Sequence, residues 1–313
     1  MITPLEVFGL SPFGQRSREA LRALRGDPWT PKTRFGLSSL GILKPRLSLP
    51  LWLGLPARGR LVPIYNLFNH LRPPPEDGWS VRKTRVRDFR GGNLSYDSHN
   101  GTDFAVAPGT VVVAAAPGRV LRISSEFDRG GLKVFVDHGG GLVTTSNHLS
   151  RALVSVGERV ARGQPIALSG MSGIDGVLMF PWSTPHVHFN VWLGGDYVDP
   201  FAHDGEPSLF RTASPTPHDG HAIDETVEPT AWDLAAVDTA IATCRVPAVQ
   251  AELRAIEHWG ERAMSTLFQR LYYPTRFPKG PPLMERPCPR QPRLDLPFRA
   301  QDFDGVWFPD EAR

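Results

Sequence analysis

The chain is poor in cysteine: Cys244 and Cys288 are the only two in 313 residues. Two cysteines give no disulfide framework and are too few for a cysteine zinc cluster. Long apolar runs are also missing. Leu47 to Leu55 is apolar, but Pro50 interrupts it, and it falls well below the roughly 20 residues that a membrane-spanning helix needs. No transmembrane segment is expected. The opening Met1-Ile2-Thr3-Pro4-Leu5-Glu6 lacks a basic start followed by an apolar core, so no export signal is read there. No nucleic-acid-binding module is visible, which argues against a nucleic-acid partner. Charge of one sign does not dominate the whole chain, whose net charge is +3. It is unevenly spread, however. Residues 1–90 hold 16 Lys/Arg against 6 Asp/Glu, and the remainder holds 19 against 26.

Histidine, glycine and proline are present in telling places. Three short pieces stand out: His99-Asn100-Gly101-Thr102-Asp103, Asn147-His148-Leu149 and Pro185-His186-Val187-His188-Phe189. They supply a His and an Asp four residues apart, a lone His, and a His-x-His pair. This is enough for a three-ligand zinc site with two spare imidazoles. Three protein ligands leave a fourth position open, which is the catalytic rather than the structural arrangement. Residues 185–193 are rich in aromatic and β-branched side chains, so a strand is expected. Residues two apart on a strand share a face, so His186 and His188 project into one pocket. Asn100-Gly101 is a turn dipeptide that leads into a second strand, Thr102 to Val106, with Asp103 looking inward beside His99.

Tyr96 to Phe201, about a third of the chain, resembles the lysostaphin-like, or LytM-type, zinc endopeptidases. Besides the three histidine pieces, the shared runs include Pro108-Gly109-Thr110-Val111, Ala114 to Val120, Val136-Asp137-His138-Gly139-Gly140-Gly141, Val156 to Ile166, Ser169 to Gly173 and Val198-Asp199-Pro200. Carried over position by position, the resemblance places zinc ligands on His99, Asp103 and His188, with one zinc per chain. It places catalytic histidines on His148 and His186, and leaves open which of them is the general base. It implies hydrolysis of peptide bonds in peptidoglycan cross-bridges or stem peptides, and hence work in the cell envelope. The residues by themselves imply only metal-assisted amide hydrolysis: zinc brings the pKa of its water to roughly 7, and imidazole can carry the proton. One departure is visible. The family often has an aromatic residue two before the histidine matching His148, and here that position is Ser146. By strand alternation Ser146 would lie beside the site and affect substrate preference.

Further short β-like runs are Val111 to Ala115, Arg119 to Ser125, Leu132 to Val136, Leu142 to Asn147 and Ile166 to Ser169. Gly139-Gly140-Gly141 reads as a hairpin turn and His138 as a turn residue rather than a ligand. The expected fold is mainly β: an antiparallel sheet with an open groove, walled partly by a Gly170 to Ser183 loop, plus a C-terminal helical segment. The expected divisions are a basic, Pro-rich N-terminal extension (1–92), the zinc endopeptidase domain (93–205), a linker (206–230), a helical segment (231–273) and a Pro-rich tail (274–313). The extension is too apolar around Leu61 to Phe68 for a disordered tail and is read as packing on the catalytic domain, with a basic arm for an anionic polymer such as cell wall as the alternative. His203-Asp204-Gly205 and His218-Asp219-Gly220-His221 are read as solvated loop rather than a second metal site. The helical segment is expected in two pieces broken near Pro247, with Val249, Leu253, Ile256, Trp259 or Gly260, Ala263, Leu267 and Leu271 forming an apolar stripe. The tail either wraps the surface or approaches the groove.

Three other readings are weaker. A non-enzymatic wall-binding or amidase-activator protein on the same scaffold typically loses metal ligands, and none is lost here. Val156 to Ile166 resembles the hairpin of biotinyl and lipoyl carriers, but the only lysine from Asp103 to Pro200 is Lys133, inside an expected strand. A D-Ala-D-Ala carboxypeptidase type would space its His and Asp about seven apart, not four. Oligomeric state is not legible.

Overall fold

The computed structural model describes residues 2–220, 226–285 and 287–311. His221 lies outside the described residues. The described chain forms a large, open, mostly antiparallel sheet of eleven strands, with helices against it. In chain order the elements are α1 (Pro4–Phe8), α2 (Phe13–Arg25), α3 (Pro45–Trp52), β1 (Leu61–Asn66), β2 (Thr102–Ala105), β3 (Val111–Val113), β4 (Gly118–Glu126), β5 (Gly131–Asp137) and β6 (Leu142–Ala152). There follow β7 (Arg159–Val160), β8 (Pro165–Ser169), α4 (Ile174–Leu178), β9 (His186–Leu193), β10 (Asp196–Val198), α5 (Leu234–Ala242), α6 (Pro247–Ala255), α7 (Trp259–Tyr272) and β11 (Gly305–Trp307).

The main strand order is β11-β1-β2-β9-β6-β5-β4-β7, and only the β1–β11 pair is parallel. β9 therefore lies between β2 and β6, and the sequence-distant histidine pieces become neighbours. Alternation sends Val187, Phe189 and Val191 of β9 to one face, where they join Phe104, Val134, Val136 and Leu149 in the larger core. Leu294, Leu296 and Phe298 of the tail are buried in that same core. The opposite face is shared. One part, with Phe135, Val143 and Trp192, is covered by α5–α7 through Ala263, Met264, Leu267 and Phe268. The other part carries the polar cluster described below.

Residues 1–92 contribute β1 to the sheet and anchor α2 beside the β4–β5 turn. Arg22 makes a two-pronged contact to Asp128 at 2.8 and 2.7 Å, and Glu19 accepts the Phe127 N–H at 2.8 Å. The helical segment is three helices rather than two. Pro247 starts α6 as expected, but Ile256 to His258 form a second break, with the His258 ring accepting from Glu261 N. The apolar spacing runs through this break, so periodicity alone could not show it. The Gly170 to Ser183 loop contains the short helix α4. His138 is buried in its turn, held by the Pro117 carbonyl and Thr144 Oγ1 at 2.9 and 2.8 Å.

Candidate metal centre

Asp103 on β2 sits directly opposite His188 on β9, so the two side chains share a face. His99 reaches the same point from the loop before β2. That loop lies flat on β9 because residue 101 is glycine: a Cβ there would come within 2.6 Å of Phe189 O and 2.8 Å of His188 Nε2. All three side chains are buried. His99 Nε2 lies 3.0 Å from Asp103 Oδ1 and 3.1 Å from His188 Nδ1, and His188 Nδ1 lies 2.7 Å from Asp103 Oδ1.

The surrounding hydrogen bonds decide where the protons are. His99 Nδ1 faces the Leu67 carbonyl at 2.6 Å, which can only accept, so His99 Nε2 is a bare lone pair. The Asn190 amide donates to Asn100 O and Oδ1 at 2.8 and 2.9 Å. His188 Nε2 lies 3.1 Å from Asn100 Oδ1 and 2.9 Å from Asn190 Nδ2; in the tautomer whose Nε2 donates to Asn100, His188 Nδ1 is bare toward Asp103. Asp103 Oδ2 accepts from Asn66 Nδ2 at 2.9 Å, leaving Oδ1 turned inward. With His188 in that tautomer three acceptors converge, an arrangement that a cation at its centre would satisfy. Two imidazole nitrogens and a carboxylate oxygen are a donor set suited to zinc, and the outer hydrogen bonds are the kind that orient metal ligands.

Two more imidazoles face this point. His186 Nδ1 lies 2.8 Å from the Thr184 carbonyl and 2.9 Å from Tyr65 OH, so its Nε2 is the unprotonated atom, 3.6 Å from Asp103 Oδ1. His148 Nδ1 donates to the Ser172 carbonyl at 2.8 Å, which likewise frees Nε2. The two rings are 4.5 Å apart between centroids. All five sequence-predicted residues, His99, Asp103, His148, His186 and His188, therefore meet in one place.

His148 arrives there through a break in alternation. Between Ser146 and Leu149, β6 advances three residues while β5 advances two, from Val134 to Leu132. The extra residue is a β-bulge, and His148 takes a left-handed φ of 59°. Asn147 and His148 consequently both turn to the polar face, where Asn147 donates to Asn190 at 2.7 Å. Ser146 pairs with Phe189 and Val134, which belong to the core. It therefore faces away from the cluster, contrary to the expectation from simple alternation. A second bulge does the same on β1: Ile64 opposes Phe104 and Asn66 opposes Asp103, so Tyr65 and Asn66 both reach the site.

Burial and proximity set the electrostatics. Burial pushes His186 down to about 3 and His188 down to about 4, with Asp103 pulling in the opposite sense. Burial alone would raise Asp103, but His99, His186 and His188 outweigh it and hold the carboxyl well below its usual range. Burial and then the Asp103 charge hold Tyr65 and Tyr96 well above the usual phenol value, so both remain neutral hydroxyls beside the histidines.

Sequence reasoning missed Tyr65, Asn66, Asn190 and Asp175, each of which contacts the cluster or lines the cavity beside it. Asn190 was findable, because it follows His186 and His188 at the same two-residue step. Nothing local marks Tyr65 or Asn66, which lie in an apolar run. A second group, His70, Asp199 and His203, also gathers. His70 Nε2 is already bonded to Asp199 Oδ2 at 2.8 Å. His218 lies instead near Asp295, 3.8 Å away. No helix among the described residues is long and apolar enough to cross a membrane.

Among known proteins, the model of peptidase family M23 matches residues 97–200. The chain is 38% identical over 102 residues to the peptidoglycan DD-endopeptidase ShyA of Vibrio cholerae, covering 32% of this chain and 22% of that protein. It is also 38% identical over 100 residues to the murein hydrolase activator EnvC of Escherichia coli, covering 32% and 22%. The catalytic domain of lysostaphin from Staphylococcus simulans aligns with 28% identity and a TM-score of 0.29, covering 33% of this chain and 77% of that one. The chain spans about a fifth to a quarter of the length of the curated relatives it matches.

Proposed function

Because residues 97–200 match peptidase family M23, we propose that this chain is a zinc-dependent endopeptidase acting on peptide bonds of peptidoglycan, in cross-bridges or stem peptides, within the cell envelope. The observation that carries the reading is the meeting of three unprotonated ligand atoms, within 3.1 Å of one another, beside two further bare Nε2 atoms. His99, Asp103 and His188 would hold the ion. When bound, zinc supplies Lewis-acid chemistry, polarising the scissile carbonyl and acidifying water. The rest is assigned to this chain's own residues. The Thr184 and Ser172 carbonyls fix the His186 and His148 tautomers so that Nε2 of each faces the reacting atoms. One Nε2 accepts a proton from the attacking water and returns it to the leaving amine, while the other imidazole faces the same point and orients the reacting groups. We assign this work to residues 93–205, with the flanking segments forming the wall and support of the groove.

The second reading, a non-enzymatic activator, is raised by the EnvC match, whose identity equals that to ShyA. Overall identity therefore does not separate the two classes. The filled set of five side chains favours the enzyme. The test is zinc analysis together with digestion of purified cell wall, on wild type and on His188→Ala and His148→Ala. The proposal expects one zinc per chain and digestion by wild type. A zinc-free wild type that leaves the wall intact would sink the enzyme reading.

A further inference from the structure

We infer that the cavity beside the histidines receives a substrate side chain with an aliphatic stem and a terminal ammonium, the ammonium seated against Asp175. The inference rests on the peptidase reading above and deepens it by naming what flanks the cleaved bond. The cavity holds about 360 Å³ and is lined by Asp103, His148 and His186 at the reacting end. Beyond them its wall is mostly apolar, with Ser39, Ser183 and Thr184 the small polar side chains on it. Leu24, Leu40, Ile42 and Leu43 come from the N-terminal segment, and Leu178 and Met179 from the end of α4 and just after it. These side chains offer no hydrogen bond to a backbone or a polar side chain, and Leu40, Leu178 and Met179 remain substantially exposed. A glycine or alanine would leave that wall wet, whereas a four-carbon stem would cover it.

Asp175 is the charged side chain on this part of the wall. Among the described residues its carboxylate makes no hydrogen bond and no ion pair, although it lines the same cavity. The positive groups that reach it electrostatically are His148 and Arg129, while Asp103 opposes them. His148 has its Nδ1 on Ser172, and Arg129 donates to the Asp128 carbonyl and stacks over Trp79 and Tyr273. Asp175 is also absent from the ligand atoms that converge with His99 and His188. Burial without a partner raises the Asp175 pKa above its ordinary value, and a cationic substrate group supplies the partner that favours the carboxylate. A site arranged this way rejects a substrate lacking the complementary group more strongly than an apolar pocket rejects a shorter chain.

The test uses three internally quenched peptides that differ only in carrying lysine, norleucine or glycine beside the cleaved bond, with the zinc-loaded full chain. Wild type is expected to cleave the lysine peptide about tenfold or more faster, in kcat/KM, than the norleucine peptide. Asp175→Asn is expected to bring that ratio to about one, and Asp175→Lys to invert it in favour of a glutamate peptide. A purely structural role would lower all substrates together and leave the ratio unchanged, which would overturn the inference. A second arm measures binding of the same peptides to zinc-loaded His148→Ala by fluorescence anisotropy. Cleavage without lysine preference overturns the inference and leaves the peptidase reading. Lysine-selective binding with no cleavage by wild type does the reverse.

Discussion

The molecule contains two His/Asp/His groups of the same composition, and they differ in nearly everything that matters to a metal. His99, Asp103 and His188 are buried, come from two neighbouring strands and a loop, and bring their inward atoms within 3.1 Å of one another. Each outward atom has a carbonyl or an amide within hydrogen-bond distance, a surrounding that suits inward atoms free of protons. His70 and His203 are partly exposed, while Asp199 is buried. There the His70 proton already satisfies Asp199, and the His203 Nδ1 proton goes to the Phe201 carbonyl. A cation would complete the first group, whereas the second has its charges paired internally. Composition and nearness do not distinguish them; the placement of protons does.

The largest expected effect is on the first group. His188→Ala should remove zinc from the chain and lower wall digestion by a factor of about a thousand or more, whereas His203→Ala should leave zinc content as it was. Equal zinc loss in both, measured by metal analysis, would erase the distinction. Next comes His148→Ala, which touches no metal-facing atom. It should retain zinc while activity falls roughly 10²–10⁴-fold, read as kcat on a quenched peptide at saturating zinc.

A third histidine environment sharpens the comparison further. His138 is buried with no carboxylate bonded to it, and burial holds it down at about 4 against an ordinary 6.5. As pH falls below 6.5 the unfolded chain takes up this proton and the folded one does not. The stabilisation from neutral His138 is thus fully present above 6.5 and is lost progressively toward pH 4, by about 3 kcal/mol in all. Denaturant midpoints across that window should slope steeply in wild type and less in His138→Gln. A smaller effect is expected from Asn190→Ala, which frees Asn100 and so loosens the His188 tautomer. Zinc affinity should drop about 10- to 100-fold by competition with a chelator, with the five site residues intact. Least affected should be the stability of His203→Ala, within about 1 kcal/mol of wild type.

Much of the site was legible because its signals are local. His186 and His188 share a face by simple strand alternation, and Asp103 lies at a strand start after a turn, as the glycine at 101 suggested. The five residues singled out from sequence are the five that converge. Less legible were the surroundings. The helical segment kept an unbroken apolar spacing through Ile256 to His258, where the chain breaks to lay α7 across Phe135 and Trp192. Phe298 and its neighbours gave no sign in sequence that they enter the main core rather than the groove.

The sequence by itself therefore determined which side chains could bind a metal and which strand carries two of them, since residue type and a two-residue period are properties of the chain alone. Only the tertiary structure decided which face the other contributors occupy. The bulges at Tyr65-Asn66 and Asn147-His148 each turn two consecutive side chains to the site. The second leaves Ser146 in the core. A bulge is an offset between one strand and its partner, so it has no counterpart in the periodicity of either strand read alone.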